Sequence, residues 1–506
     1  MKRFTTNKGP VNRFRLTILA SLLGLSVHVA DAQTTVQNTP AAASSTGSTV
    51  YSLRQCVEIA LQNNIQARRG QLQVESSDLQ LRQSRLNLLP NASFGANQSL
   101  SGGGRQIDPF TNTVIPQQSV SSSNYQLNSS LTIFNGFSQR NTIKQYDLAR
   151  DASQKELLAT NNTVALTVVQ SYLNVLTYQE QLEIARGQVA TTRGQLERTE
   201  KLVNAGTLAE AQLFDLRAQV ANDELAIVTA QNNLDLAKLA LLQAMNVPGG
   251  QNIDVERMEV PDPTFSPYSA TAQQVYNIAL ENMPDIQGAD LRVRSAAAGV
   301  EVAKGALYPS LTLNASLYTF VSSTNRQSSR DTSRVTQQQI PGQFILVNGI
   351  QEPIFQTVYG SNSSRVGFVD QVTNNLNRSL SVSLRIPIFT NFQSRNQITT
   401  AKIQQQTAEL NAQNARLTLR QNIETAYTNM LAGANRFRAT SIQVESLEQA
   451  FRAAESRFNA GALNSVDYNI AKNNLDKARA NLVQAKFDYI FRTKILDFYQ
   501  NKPLSF

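Results

Sequence analysis

Residues 380–400 read LSVSLRIPIFTNFQSRNQITT. In the first part Leu380, Val382, Leu384, Ile386 and Ile388 fall on one side of an extended chain and Ser381, Ser383, Arg385 and Pro387 on the other, the period of two that marks a strand with one apolar face. Just past Ile388 the character changes. No proline occurs between Ile388 and Lys502, so nothing breaks a helix once it starts. A single helix over 392–459 would extend on the order of 100 Å at about 1.5 Å per residue, far more than a compact domain needs. One stretch therefore predicts a strand about ten residues long, the length that crosses a bilayer when tilted, feeding a very long helix.

The same transition occurs earlier in the chain. Tyr125, Leu127, Leu131 and Ile133 alternate with Gln126, Asn128, Ser130 and Thr132, and no proline falls between Gln117 and Val247. At a constant offset of 255, Phe134-Asn135-Gly136-Phe137 is answered by Phe389-Thr390-Asn391-Phe392, Arg140-Asn141 by Arg395-Asn396, Tyr172 by Tyr427 and Ala205-Gly206 by Ala460-Gly461. Upstream the offset is 219, pairing Ala60-Leu61-Gln62-Asn63-Asn64 with Ala279-Leu280-Glu281-Asn282-Met283 and Leu89-Pro90 with Tyr308-Pro309. Constancy over such lengths predicts a duplication. The change of offset places one long insertion, expected to be an external loop over about 321–377, inside the second repeat. Each repeat is predicted as a helix, a strand pair and two long helices. The remaining strands are Ala92, Phe94 and Ala96, a weaker alternation, and Leu311, Leu313, Ala315 and Leu317 against Ser310, Thr312, Asn314 and Ser316.

The long helices carry coiled-coil seams. Leu182, Ala185, Val189, Thr192, Leu196, Thr199 and Val203 recur at steps of three and four, matched in the second repeat by Phe437, Thr440, Val444, Leu447, Phe451, Ala454 and Phe458. The return arms repeat the pattern, from Leu213 through Asp223 to Ala244 and from Tyr468 to Tyr499. Two antiparallel helical hairpins follow, reversing at Ala205-Gly206 and Ala460-Gly461.

Composition removes most other classes. The 506 residues contain one histidine, one cysteine and no tryptophan. Lys2, Arg3, Lys8, Arg13 and Arg15 precede an apolar run from Leu16 to Ala30, and Ala30-Asp31-Ala32 matches a small-x-small cleavage pattern, so residues 1–32 are expected to be a signal peptide and Gln33 the mature start. Residues 33–50 then form a flexible N-terminal segment, 51–267 the first repeat and 268–506 the second. Cleavage removes His28, excluding a Ser-His-Asp triad or a histidine metal site, and leaves 41 basic against 36 acidic residues. The bases are dispersed without interleaved aromatics, which does not read as nucleic-acid binding. Gly102-Gly103-Gly104 is not followed by the helix and Lys-Ser/Thr of a phosphate loop. Cys56, between Leu53, Val57 and Leu61, is expected on a buried helix face. No enzyme, cofactor or metal site is predicted.

Order, duplication and the Phe-Asn-Gly-Phe and Asn-Ala-Gly elements together resemble the TolC family of outer-membrane efflux proteins, over nearly the whole mature chain. The resemblance implies a mixed α and β membrane protein: a homotrimer whose protomers each give four strands to a 12-stranded barrel, continued by a coiled-coil periplasmic tunnel. It implies a passive duct in the outer membrane of a Gram-negative bacterium, docking on a periplasmic adaptor and an inner-membrane transporter in a tripartite efflux or type I secretion system. Adaptor contacts would fall at Gly206, Thr207 and Leu208 and at Gly461, Ala462 and Leu463. Asp467, six residues past Gly461, stands where a family aperture aspartate would fall, with Asp215 in the first hairpin; Ile470 and Gln212 stand where further acids would be. The alternative is a structural coiled-coil or adaptor protein of the envelope that conducts nothing. Cargo, whether drug, metal ion or polypeptide, is not legible.

Overall fold

The structure is a computed structural model that describes residues 49–102, 106–107, 114–115, 119–249, 253–257 and 268–502. The expected signal peptide, most of the segment 33–50 and Gly103-Gly104 lie outside the described residues. Contacts divide the chain into Met1–Thr49 and Val50–Phe506; the second unit is described below.

The first pass through the elements runs β1 (Thr49–Tyr51), α1 (Leu53–Asn63), α2 (Ile65–Leu86), β2 (Asn91–Gly102), the short β3 (Gln106–Ile107) and β4 (Val114–Ile115), β5 (Ser119–Asn135), α3 (Ser138–Asn204), α4 (Ala211–Ala244) and β6 (Ile253–Val255). The second runs α5 (Ala272–Asn282), α6 (Pro284–Lys304), β7 (Ser310–Ser322), β8 (Arg326–Val347), β9 (Ile350–Arg365), α7 (Phe368–Asn374), β10 (Asn377–Arg385), α8 (Gln393–Asn459) and α9 (Ser465–Tyr499). Both α3 and α8 contain 67 residues, a length the proline-free stretches allow.

Each expected first helix is in fact two. The chain leaves helical geometry at Asn64 and Met283, both near ψ 126°. Pro284 forces the second break, because its ring disfavours helical backbone in the preceding residue. At the first, the Asn64 side chain accepts from the backbone of Gln66 and Ala67 and so starts α2. Ser52 with Gln55 and Thr271 with Gln274 form capping boxes at equivalent positions.

Two cores hold the helices, built from matching positions. Cys56, Ala60, Val168 and Leu241 are buried in one, and their counterparts Val275, Ala279, Ile423 and Leu496 in the other. Cys56 is on a buried face as expected, and desolvation pushes its thiol up to about 11.

The segment 321–377 is not a loop. Most of it is a hairpin of 22 and 16 residues, β8 against β9, followed by α7. Register shifts between Asp331 and Val335 and between Gln339 and Phe344 break its alternation, which conceals it from a period-two reading. The readable sign was Asn348-Gly349 at the tip, both at positive φ as a two-residue hairpin turn needs.

The four long strands form one antiparallel sheet in the order β10-β7-β5-β2. β10 ends at Arg385, before Ile386 and Pro387, since proline cannot donate to the ladder. In β5 a register shift between Thr132 and Phe134 places Phe134 rather than Ile133 opposite Leu311. Apart from these ends the predicted alternation holds.

Candidate functional site

Register sorts the sheet residues into two faces. Going toward the helices, one face carries Phe94, Leu127, Leu317 and Arg378, then Ala92, Ser129, Ala315 and Leu380, then Leu131, Leu313 and Val382, then Phe134, Leu311 and Leu384. The other carries Ser93, Asn128, Ser316 and Ser379, then Asn91, Ser130, Asn314 and Ser381, then Thr132, Thr312 and Ser383, and finally Asn135, Ser310 and Arg385. Phe94, Leu380, Val382 and Leu384 are between 62% and 73% exposed, an apolar area with nothing packed on it among the described residues. Hydroxyls pair with one another on the polar face, as Ser316 does with Ser379 at 2.7 Å. Among the described residues β2 and β10 each leave one edge unpaired. No described helix is long and apolar enough to cross a membrane.

Sheet passes to hairpin through a left-handed pair of residues. Gly136 and Phe137 in the first repeat, and Asn391 and Phe392 in the second, all have φ between 50° and 63°. At Gly136 only glycine fits, because an added Cβ would meet the Gly305 carbonyl oxygen at 2.5 Å. Phe137 stands edge-on to Phe134 and Phe392 to Phe389, with ring centres 5.2 and 6.0 Å apart.

The hairpin seams bury as their period predicts. Leu182, Ala185, Val189, Thr192 and Thr199 on α3 and Phe437, Val444 and Phe458 on α8 are buried. Both tips turn by the same motif. Gly206 donates to the Val203 carbonyl at 2.8 Å and Thr207 to that of Leu202 at 3.1 Å; Gly461 donates to Phe458 at 3.0 Å and Ala462 to Arg457 at 2.9 Å. Both glycines take positive φ, 78° and 71°. The two tips touch within one chain, where Arg198 donates to Asn459 at 3.0 Å.

The two aspartates singled out by sequence lie close to one another along the chain's fold but do different things. Asp467 is exposed in the first turn of α9, where its backbone N–H donates to Asn464 Oδ1 at 2.8 Å and its carboxylate accepts from Asn464 Nδ2 at 3.0 Å. Asp215 accepts from Ser465 Oγ at 2.7 Å, linking α4 to the start of α9. Position at a helix N-terminus by itself favours Asp467.

Sequence reasoning passed over a buried polar cluster. Lys472 on α9, only 2% exposed, reaches Asp223 of α4 at 3.0 Å and Asp476 of its own helix at 2.9 Å. Asp223 also accepts from Thr192 of α3 and from Gln219 at 2.5 and 2.7 Å. The signal was available: Asp223 occupies a seam position in an otherwise apolar and small series. Desolvation raises the Asp476 carboxyl above the ordinary range, reinforced by the Asp223 charge and opposed by Lys472. Among the described residues no group of histidine, cysteine and acids could hold a metal.

This architecture matches known proteins. The family model for outer membrane efflux proteins matches residues 56–247 and 352–491. The toluene efflux pump outer membrane protein TtgF of Pseudomonas putida is 25% identical over 267 residues, covering 52% of this chain and 53% of that one, so the chain spans about half the length of this curated relative. The outer membrane protein TolC of Escherichia coli is 22% identical over 442 residues, covering 87% of this chain and 80% of that one. Among solved structures, CusC superimposes with a TM-score of 0.69 at 17% identity over 89% of this chain and 92% of that one. VceC of Vibrio cholerae gives 0.66 at 16% over 90% and 97%. With more than half of its residues matched by the family model, this chain belongs to the outer membrane efflux protein family.

Proposed function

We propose that the protein is a passive export duct of the outer membrane, a transport component rather than an enzyme. Three copies join their four-stranded sheets into a 12-stranded barrel, and their helical hairpins continue it as a periplasmic tunnel. The observation that carries this reading is the sheet: one face apolar and exposed, the other hydroxyl and amide, with both outer edges unpaired. Unpaired backbone groups in hydrocarbon are costly, several kcal/mol each by rough estimate, and closure with further copies removes them. A non-conducting coiled-coil or adaptor protein would have no use for such a sheet.

The tips at Gly206-Thr207-Leu208 and Gly461-Ala462-Leu463 are proposed to meet a periplasmic adaptor that couples the duct to an inner-membrane transporter. Asp467 is proposed to line the aperture in three copies. Asp215 contributes less, because its carboxylate is engaged by Ser465. The two repeats, 51–267 and 268–506, are proposed as the product of duplication.

Fractionation and crosslinking test the assembly: the chain should sediment with outer membrane and crosslink near three times the mature mass, and a soluble monomer would refute the reading. The face assignment predicts that Leu384→Arg impairs assembly while Ser383→Arg is tolerated; because Leu384 stands in the last row before the helices, the cost falls toward the roughly 0 to 1 kcal/mol of an interfacial site. At the aperture, Asp467→Asn should weaken block by multivalent cations in planar bilayers more than Asp488→Asn; unchanged block in assembled trimers leaves Asp467 as a helix-end residue only.

A further inference from the structure

The four barrel strands contain two charged residues, Arg378 and Arg385, both on β10. Register puts them on opposite faces. Arg378 stands in the row of Phe94, Leu127 and Leu317, at the end of β10 away from the helices. Arg385 stands in the row of Asn135 and Ser310, on the polar face at the end that leads into α8. It is exposed and has no ion pair among the described residues. Nearby, Arg140 and Arg395, each the third residue of its long helix, are also exposed and without an ion pair among the described residues, so the junction adds positive charge.

We propose that Arg385 forms a threefold cationic ring at the helix-side mouth of the barrel, which draws anionic solutes into it and slows multivalent cations. The inference rests on the trimeric barrel argued above. Twelve strands about 4.8 Å apart and tilted about 40° close on a backbone circle roughly 24 Å across. Side chains narrow that opening, and three guanidinium groups standing into it lie within about one Debye length, roughly 8 Å, of the axis. The walls above the ring are serine, asparagine and threonine, which carry no charge to offset it. Narrow, low-dielectric mouths lined by one sign of charge concentrate the opposite sign. The cargo class favoured at this station is therefore the anion, such as an organic carboxylate or phosphate. The proposed acidic aperture at the hairpin tips favours cations, so the two stations along the duct, barrel junction and tunnel tip, would select in opposite senses.

The test uses purified, assembled trimers in planar bilayers under a potassium chloride gradient, with tripolyphosphate as a multivalent anion added on the barrel side. Arg385→Gln should lower the chloride-to-potassium permeability ratio about threefold or more and weaken tripolyphosphate block; Arg385→Lys should keep both. Arg378→Gln, on the lipid face, should change neither. In Arg385→Cys, a cationic methanethiosulfonate should restore anion preference and an anionic one invert it; Cys56 is fully buried and does not report. Conducting Arg385→Gln or Arg385→Cys trimers whose selectivity is indifferent to charge at this position would overturn the ring and leave the barrel standing. Failure of the wild-type chain to trimerise would instead remove the barrel reading, and the ring with it.

Discussion

The two helical hairpins have nearly the same backbone and different attachments. Their first arms are both 67 residues long, their second arms 34 and 35, and both tips turn on a glycine with the same pair of hydrogen bonds. Beyond the turn they part. α9 begins on an Asn464 side-chain cap, whereas α4 begins at Glu210 with helical backbone and no side-chain cap. Lys472 is buried between hairpins, while its counterpart Arg217 lies exposed beside Glu200 at 3.2 Å. Asp223, buried in the first hairpin, corresponds to Ala478 in the second. Periodicity and a turn glycine fix the hairpin; the contacts between hairpins do not repeat, because each helix meets a different neighbour. An apolar seam can slide by a heptad at little loss, and a buried lysine held by two carboxylates cannot. The cluster thus sets the register of one hairpin against the other.

The largest effect expected of that difference is at Lys472. Lys472→Met leaves Asp223 and Asp476 buried with no cation between them and should destabilise the hairpin contact by about 3 to 5 kcal/mol. Arg217→Met removes an exposed pair with Glu200 and a contact 6.0 Å above the exposed Phe214 ring and should change stability by less than about 1 kcal/mol. Urea unfolding of detergent-solubilised protein, with amide exchange along α9, measures both; equal losses would break the comparison.

Sameness of the turns is tested next. An added Cβ at Gly206 or Gly461 would meet nothing within 4 Å, so alanine there is opposed by backbone conformation alone. Gly206→Ala and Gly461→Ala should each lower local stability by about 1 to 2 kcal/mol, and by similar amounts. Proteolysis rates at the tips report the loss, and a marked inequality would show that the turns are not equivalent. A smaller contrast lies just beyond: Asn464→Ala should lose about 1 kcal/mol of cap stability, while Glu210→Ala should shift it by less than about 0.5 kcal/mol. Helix-end amide exchange distinguishes them.

What sequence could convey follows from the same contrast. Strand faces, seams and turn glycines were legible, because each is set by local period or by one residue's backbone freedom; Leu384 opposite Leu311 and Gly461 at positive φ are where alternation and heptad steps put them. The breaks at Asn64 and Met283 were harder, since apolar spacing continues through them and only a proline and a cap mark the change. The β8–β9 hairpin was missed because bulges interrupt its period. Alternation alone set Arg385 on the polar face, but its row with Asn135 and Ser310 comes from register, and Lys472 was visible as a letter but not as a site, because the Asp223 that holds it lies on a helix roughly 250 positions away in the chain.

The smallest expected effect concerns Asp476, whose counterpart in the first hairpin is Ala221, so this acid belongs to the second hairpin alone. Burial, together with the Asp223 charge, raises its carboxyl above the ordinary 3.8 despite the bonds from Lys472 and Gln188. A folded chain that keeps this proton where the unfolded chain has lost it binds more protons across that window, so stability falls as pH rises through it. The contribution is fully present below the unfolded value and is lost above the raised one. Asp476→Asn resembles the protonated acid in shape and charge. The variant should therefore match wild type near pH 4 and be slightly more stable at pH 7. Urea unfolding of variant and wild type at both pH values cancels the titration of every other carboxylate. A variant less stable than wild type at pH 7 would mean that the bond to Lys472 outweighs desolvation, and that the second carboxylate, rather than an amide, is what the buried lysine requires.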